Sequence, residues 1–135
     1  MSELDFFQMT VSAFPGHPRR AALYGLFAGW ASRLRNLGIG GSLWLDGSFL
    51  TSKTDPDDID LVLWSPTQGK PLKLTEQKEV VDLLDHGASK ILYRLDLYVE
   101  MTTVLTDAKR KAYWMSVFGR CHDGVTPKGI AEVAL

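Results

Sequence analysis

Three aspartates and one Gly-Ser pair carry the most legible chemistry in this chain. Asp58 and Asp60 stand two apart in Asp58-Ile59-Asp60, at the head of the apolar run Leu61-Val62-Leu63-Trp64. In an extended strand, positions two apart leave the same face, roughly 6.5–7 Å apart along the backbone. Two carboxylates placed so can lean together onto one divalent ion. Without a cation, their repulsion raises a pKa or pushes the strand apart. Mg2+ suits the pair because it takes one or two carboxylates and completes its octahedral shell with water and phosphate oxygen. Gly47-Ser48 lies upstream, with nine residues between it and Asp58. Glycine directly after a strand lets a phosphate approach the backbone closely. A short helix starting at Ser48 would add amide donors and a hydroxyl. A phosphate cradle facing a metal-holding carboxylate pair is what phosphoryl or nucleotidyl transfer requires.

Asp96 is the third acid, set between Leu95 and Leu97. A mid-strand carboxylate is costly unless it has a partner. If its strand lies beside the one carrying Asp60, Asp96 projects next to Asp58 and Asp60. There it can bind a second ion or take the proton of an attacking hydroxyl. Plainer readings compete with these. Asp96 can pair with Arg94 or a lysine at a sheet edge, and Asp55, Asp57, Asp58 and Asp60 can form a solvated turn around Pro56. Asp46 reads as a cap on the Gly-Ser turn. Lys53 and Thr51 are candidate phosphate contacts on what is otherwise a solvated loop.

The elements that must position these groups follow from periodicity. Pro18 suits the first turn of a helix. Leu23, Leu26, Phe27, Trp30, Leu34 and Leu37 then repeat every three or four residues, with Arg19, Arg20, Arg33 and Arg35 mostly off that face. Gly38, Gly40 and Gly41 end the helix. Strands are predicted over Ser42 to Asp46, Asp58 to Trp64 and Ile91 to Val99. Ser48 to Ser52 suits a short helix and Ser65 to Pro71 a loop. Further helices are predicted over Thr75 to Asp85, closed by Gly87, and over Asp107 to Phe118. Residues 1–16 show no clean period, and the tail from Gly119 carries no clear signal. The order is helix, strand, strand, helix, strand, helix. It predicts one α/β layer: a small mixed sheet with helices mainly on one face.

The stretch Leu43-Trp44-Leu45-Asp46-Gly47-Ser48, then Asp58-Ile59-Asp60-Leu61-Val62, then Leu95-Asp96-Leu97 resembles the nucleotidyltransferase superfamily that includes DNA polymerase beta. By length it looks most like the minimal nucleotidyltransferases, some of them antitoxins, and like short bacterial nucleotidyltransferase-like proteins. The resemblance spans roughly Arg19 to Leu105. It implies a nucleotidyltransferase fold with Mg2+ (or Mn2+), in a two-metal site, on Asp58, Asp60 and Asp96. It also implies phosphate binding at Gly47 and Ser48. The activity implied is transfer of a nucleoside monophosphate from a triphosphate such as ATP to a hydroxyl of a protein or RNA, as in a toxin–antitoxin or defence pair. Larger members carry a helical domain that grips base and acceptor. Its absence here implies a partner protein or a second copy completing the site. The alternative is an inactive binding module on the same scaffold, acting through a partner.

Composition sets the outer bounds. The 135 residues suit one domain, and 45% hydrophobic with 23% charged residues is ordinary for a folded chain. A net charge of −1 excludes a strongly cationic coat for nucleic acid. One cysteine, Cys121, excludes an intrachain disulfide and suits a reducing cytoplasm. Neither a secretory leader nor a membrane-length apolar run is expected. Lys109-Arg110-Lys111 reads as a solvated face. His17, His86 and His122 read as surface or turn residues, and Trp30, Trp44, Trp64 and Trp114 as core.

Overall fold

The computed structural model describes residues 1–46, 49, 56–118 and 130–135. The long amphipathic segment forms helix α2, Pro18–Asn36, with Pro18 in its first turn. Leu23, Phe27, Trp30 and Leu34 form its buried stripe. Ahead of it, helix α1, Glu3–Phe7, starts at a capping box in which the Ser2 hydroxyl and the Asp5 carboxylate each bond the other's backbone amide. It runs into a π-helical turn, Gln8–Ser12. Five residues are too few to show a period, so the cap was the only signal for α1. Gly38 sits just past the end of α2 at φ +78°, a conformation that costs an L-residue about 1–2 kcal/mol. Gly38→Ala should lower stability by about that amount, seen as a lower urea midpoint with an unchanged slope.

Strands β1, Ile39–Asp46, and β2, Ile59–Gln68, pair antiparallel. Strand β3, Leu95–Glu100, lies parallel to β2. Strand β4, Ala131–Ala134, lies antiparallel to β1. The order β3-β2-β1-β4 is a small mixed sheet. β1 starts earlier and β2 ends later than predicted, because a register shift between Gly40 and Ser42 carries the pairing past the glycines. A Cβ on Gly41 would sit 2.9 Å from the Leu63 side chain.

Between β2 and β3 the prediction needs correcting. Helix α3, Leu74–Leu83, is followed at once by helix α4, His86–Tyr93. Ile91, Leu92 and Tyr93 are therefore helical, and Gly87 lies inside a helix instead of closing one. The cause is local: the Asp85 carboxylate accepts from the Ala88 amide at 2.8 Å and caps α4. Arg94, at φ 56° and ψ 37°, then turns the chain into β3.

Alternation divides the sheet into two faces. Leu43, Leu45, Ile59, Leu61, Leu63, Leu95 and Leu97 pack with α1, α2 and α3 in the main core. On the other face Val62 and Trp64 pack with Trp114 and Phe118 of helix α5, Asp107–Phe118. The helices therefore lie mainly on one face, as the pattern predicts. Trp30, Trp64 and Trp114 are buried; Trp44 is half-buried, its ring 5.1 Å from that of Trp64. Arg20 departs from expectation: it is fully buried, with its guanidinium over the Phe14 ring. Among the described residues no helix is long and apolar enough to cross a membrane.

Candidate metal and phosphate site

Strand register assembles the acids. Asp46 of β1 pairs with Asp60 of β2, and Asp60 pairs with Asp96 of β3. Opposed residues on neighbouring strands share a face, with Cβ atoms about 4.5–5.5 Å apart. The three carboxylates thus form one row across three strands, on the face that α5 covers further along. Asp58, just before β2 and two residues from Asp60, adds a fourth. The fold brings Asp58 and Asp60 together, as their spacing predicts, and the pairing of β2 with β3 adds Asp96.

The row has a distinctive electrostatic consequence. The Asp60 carboxyl is pushed up to about 7, first by burial and then by the charge of Asp58, a hydrogen bond with Asp96, and the charges of Asp96 and Asp46. Two carboxyl groups can hydrogen-bond only by sharing a proton. Protonated Asp60 therefore donates to Asp96.

Two side chains of α4 face the acids. Lys90 donates from Nζ to Asp58 Oδ2 at 2.6 Å. This bond, with the charges of Asp58, Asp96 and Asp60, holds the ammonium above the usual lysine range. One turn earlier, His86 Nδ1–H donates to the Leu97 carbonyl at 2.8 Å. Its Nε2 thereby faces Asp96 Oδ1 at 3.5 Å, and its ring lies 4.9 Å from that of Tyr98. His86 is exposed, as its sequence setting predicts, and is also a neighbour of the acid row. Asp46 is 3% exposed and lies in the row; the turn it was read as capping lies outside the described residues.

Among the described residues, no three His, Cys, Asp or Glu side chains already stand in an arrangement that could hold a metal ion. The donor set still suits a hard cation, because every candidate ligand is a carboxylate oxygen. Asp58 already binds the Lys90 ammonium in its place. Gly47, Ser48 and Lys53, the candidate phosphate contacts, lie outside the described residues, as do Thr51, Cys121 and His122. The basic run on α5 does not reach the acids: Arg110 pairs with Glu100 at 2.5 Å and Lys111 with Asp107 at 3.1 Å.

The chain belongs to a family of unknown function, DUF6932, over residues 1–134. No curated protein and no solved structure matches it.

Proposed function

We propose that the protein is a Mg2+-dependent nucleotidyltransferase of the polymerase-beta-like superfamily. The observation that carries this reading is the row Asp46–Asp60–Asp96 with Asp58 beside it, at one end of a mixed sheet. So dense a set of like charges has a cost that a bound cation repays. An antiparallel β1–β2 pair with β3 parallel to β2 also suits that superfamily, which the spacing of Gly47-Ser48, Asp58-Ile59-Asp60 and Asp96 already resembles.

In this reading Asp58, Asp60 and Asp96 hold the metal, and Asp46 adds negative charge behind them. Bound Mg2+, or Mn2+ in its stead, would neutralise charge on the attacking and leaving oxygens of the triphosphate. Gly47 and Ser48 bind the β- and γ-phosphates, with Lys53 as a further contact. Asp96 accepts the proton of the acceptor hydroxyl as the new O–P bond forms and pyrophosphate leaves. The acceptor is a protein or an RNA hydroxyl. A partner protein or a second copy completes the site, consistent with exposed Met101, Val104 and Leu105 beyond β3. A toxin–antitoxin or defence pair is one setting that fits. We place the reaction in the cytoplasm, where nucleoside triphosphates are supplied.

One observation favours a second reading, an inactive binding module. Lys90 on Asp58 already balances part of the acids' charge. A melting experiment with a non-hydrolysable ATP analogue separates the two. The enzyme should gain roughly 5–10 °C at saturating analogue with Mg2+ and little without it. It should also release pyrophosphate from ATP. No thermal response to any nucleoside triphosphate with Mg2+ or Mn2+ leaves only the module.

A further inference from the structure

Each of the three candidate ligands already has a partner inside the chain. Asp60 shares a hydrogen bond with Asp96, and Asp58 accepts from the Lys90 ammonium at 2.6 Å. Without partners, carboxylates so close would repel one another. Lys90 stands in the middle of that charge: Asp58, Asp96 and Asp60 all act on its ammonium.

The fold builds this contact. Three hydrogen bonds outside its own ladder tie α4 down. The Asp85 carboxylate caps it at the Ala88 amide, and His86 Nδ1 donates to the Leu97 carbonyl. Next to Lys90, the buried Ser89 hydroxyl donates to the Leu83 carbonyl at 2.9 Å. His86 and Lys90 are four residues apart and share one face of the helix. A helix held at these points presents both side chains to the acids.

The residue type suits a contact that can be exchanged. Lysine offers a compact point charge on a flexible four-carbon stem, whereas arginine would grip a carboxylate with two parallel bonds. The Lys90 side chain is 47% exposed and that of Asp58 23%, so the stem can swing into water while the acid stays in place. A divalent ion and an ammonium on one carboxylate repel, and a partly buried site screens them poorly. The two cations are therefore alternatives.

We propose that Lys90 is a tethered cation that occupies the acid row in the resting protein, so that a divalent ion binds only by displacing it. The contact is autoinhibitory and reversible. This rests on the nucleotidyltransferase reading and adds the regulation of its site. The charge balance that also suits an inactive module becomes, in this account, the closed state of an active one.

The test titrates Mn2+ alone into the full chain by calorimetry. Lys90→Met keeps most of the stem and removes the charge. Its Mn2+ Kd should tighten about tenfold, in proportion to the share of chains whose site the ammonium holds. Lys90→Arg, with the firmer grip, should bind Mn2+ more weakly than the natural chain. Arg19→Met is the control, because Arg19 pairs at 3.0 Å with Asp57, the residue before Asp58, and not with the row. Its Kd should stay within about twofold of the natural value. In the natural chain, acylation of Lys90 by an amine-reactive ester, read by mass spectrometry, should rise severalfold at saturating Mn2+. Exposed Lys78 of α3 should keep its level. Three results overturn the proposal: Lys90→Met binds Mn2+ no more tightly, Arg19→Met gains as much, or Lys90 acylation is unchanged when Mn2+ is bound. In each of them the metal still binds, so the nucleotidyltransferase reading stands. If neither the natural chain nor Lys90→Met binds Mn2+, the proposal and that reading fall together.

Discussion

Asp60→Asn should abolish Mg2+-dependent triphosphate binding and transfer, by at least about a hundredfold, yet leave the metal-free protein more stable at pH 8 than the natural chain. The two effects have one cause. Asp60 is central in the acid row, with Asp46 and Asp96 as its strand neighbours and Asp58 two residues away. In the folded protein its carboxyl is raised from 3.8 to about 7. The folded state therefore holds a proton that the unfolded state releases between these values. The contribution of Asp60 to stability is highest below about pH 4, declines as pH rises, and reaches its lower level once pH exceeds about 7. Asparagine is a permanent mimic of the neutral acid, so it removes that decline. After allowance for solvent screening, the difference at pH 8 should be on the order of 1–2 kcal/mol. Urea unfolding of both proteins at pH 4 and pH 8 measures it: the curves should nearly coincide at pH 4 and separate at pH 8. The same proton must leave before a cation can bind, so Mg2+ affinity of the natural chain should rise as pH passes 7. A variant that binds metal as well as the natural chain, or is less stable at both pH values, would refute this account of Asp60.

The acid row shows what a single sequence can and cannot reveal. Asp58 and Asp60 were legible because a period of two puts them on one face, and Leu95-Asp96-Leu97 because an acid between two core leucines needs a reason. That Asp96 would meet Asp60 depended on β3 lying beside β2, which no local pattern states. Asp46 was hidden because an acid before Gly-Ser is equally good turn chemistry. Only its pairing opposite Asp60 shows that it belongs to the row. Lys90 and His86 were hidden by a misread element. Ile91-Leu92-Tyr93 has the composition of a strand, but the Asp85 cap starts a helix before it, and that helix carries both side chains to the acids. Strand β4 was hidden by its length, since four alternating residues give almost no periodic signal. The covered faces of β2, by contrast, were plain from Leu61-Val62-Leu63-Trp64, which pack alternately against the main core and against α5.

Arg20→Met should destabilise the fold by about 2–5 kcal/mol, a large share of the 5–15 kcal/mol that holds a typical domain. Arg20 is 0% exposed, and burial draws its guanidinium down from the ordinary arginine value. Such a residue persists only where its hydrogen bonds compensate for lost water. Its Nη1 donates to the Thr10 carbonyl at 2.9 Å and to the Phe49 carbonyl at 2.7 Å. Phe14 and Phe49 stack around the cation, with ring centres 3.9 and 5.5 Å from Cζ. One side chain thus ties α2 to the π-helical turn on one side and to the chain three residues past Asp46 on the other. Replacing a buried ion pair with apolar residues can be neutral, because both charges leave together. Here two of the partners are backbone carbonyls that no substitution removes, so methionine fills the space and strands two acceptors. Lysine keeps the charge but offers one head in place of a fork, and Arg20→Lys should lose roughly half as much. Chemical denaturation of the three proteins measures the series. A loss below about 1 kcal/mol in Arg20→Met would mean that packing alone holds the amino-terminal segment against α2.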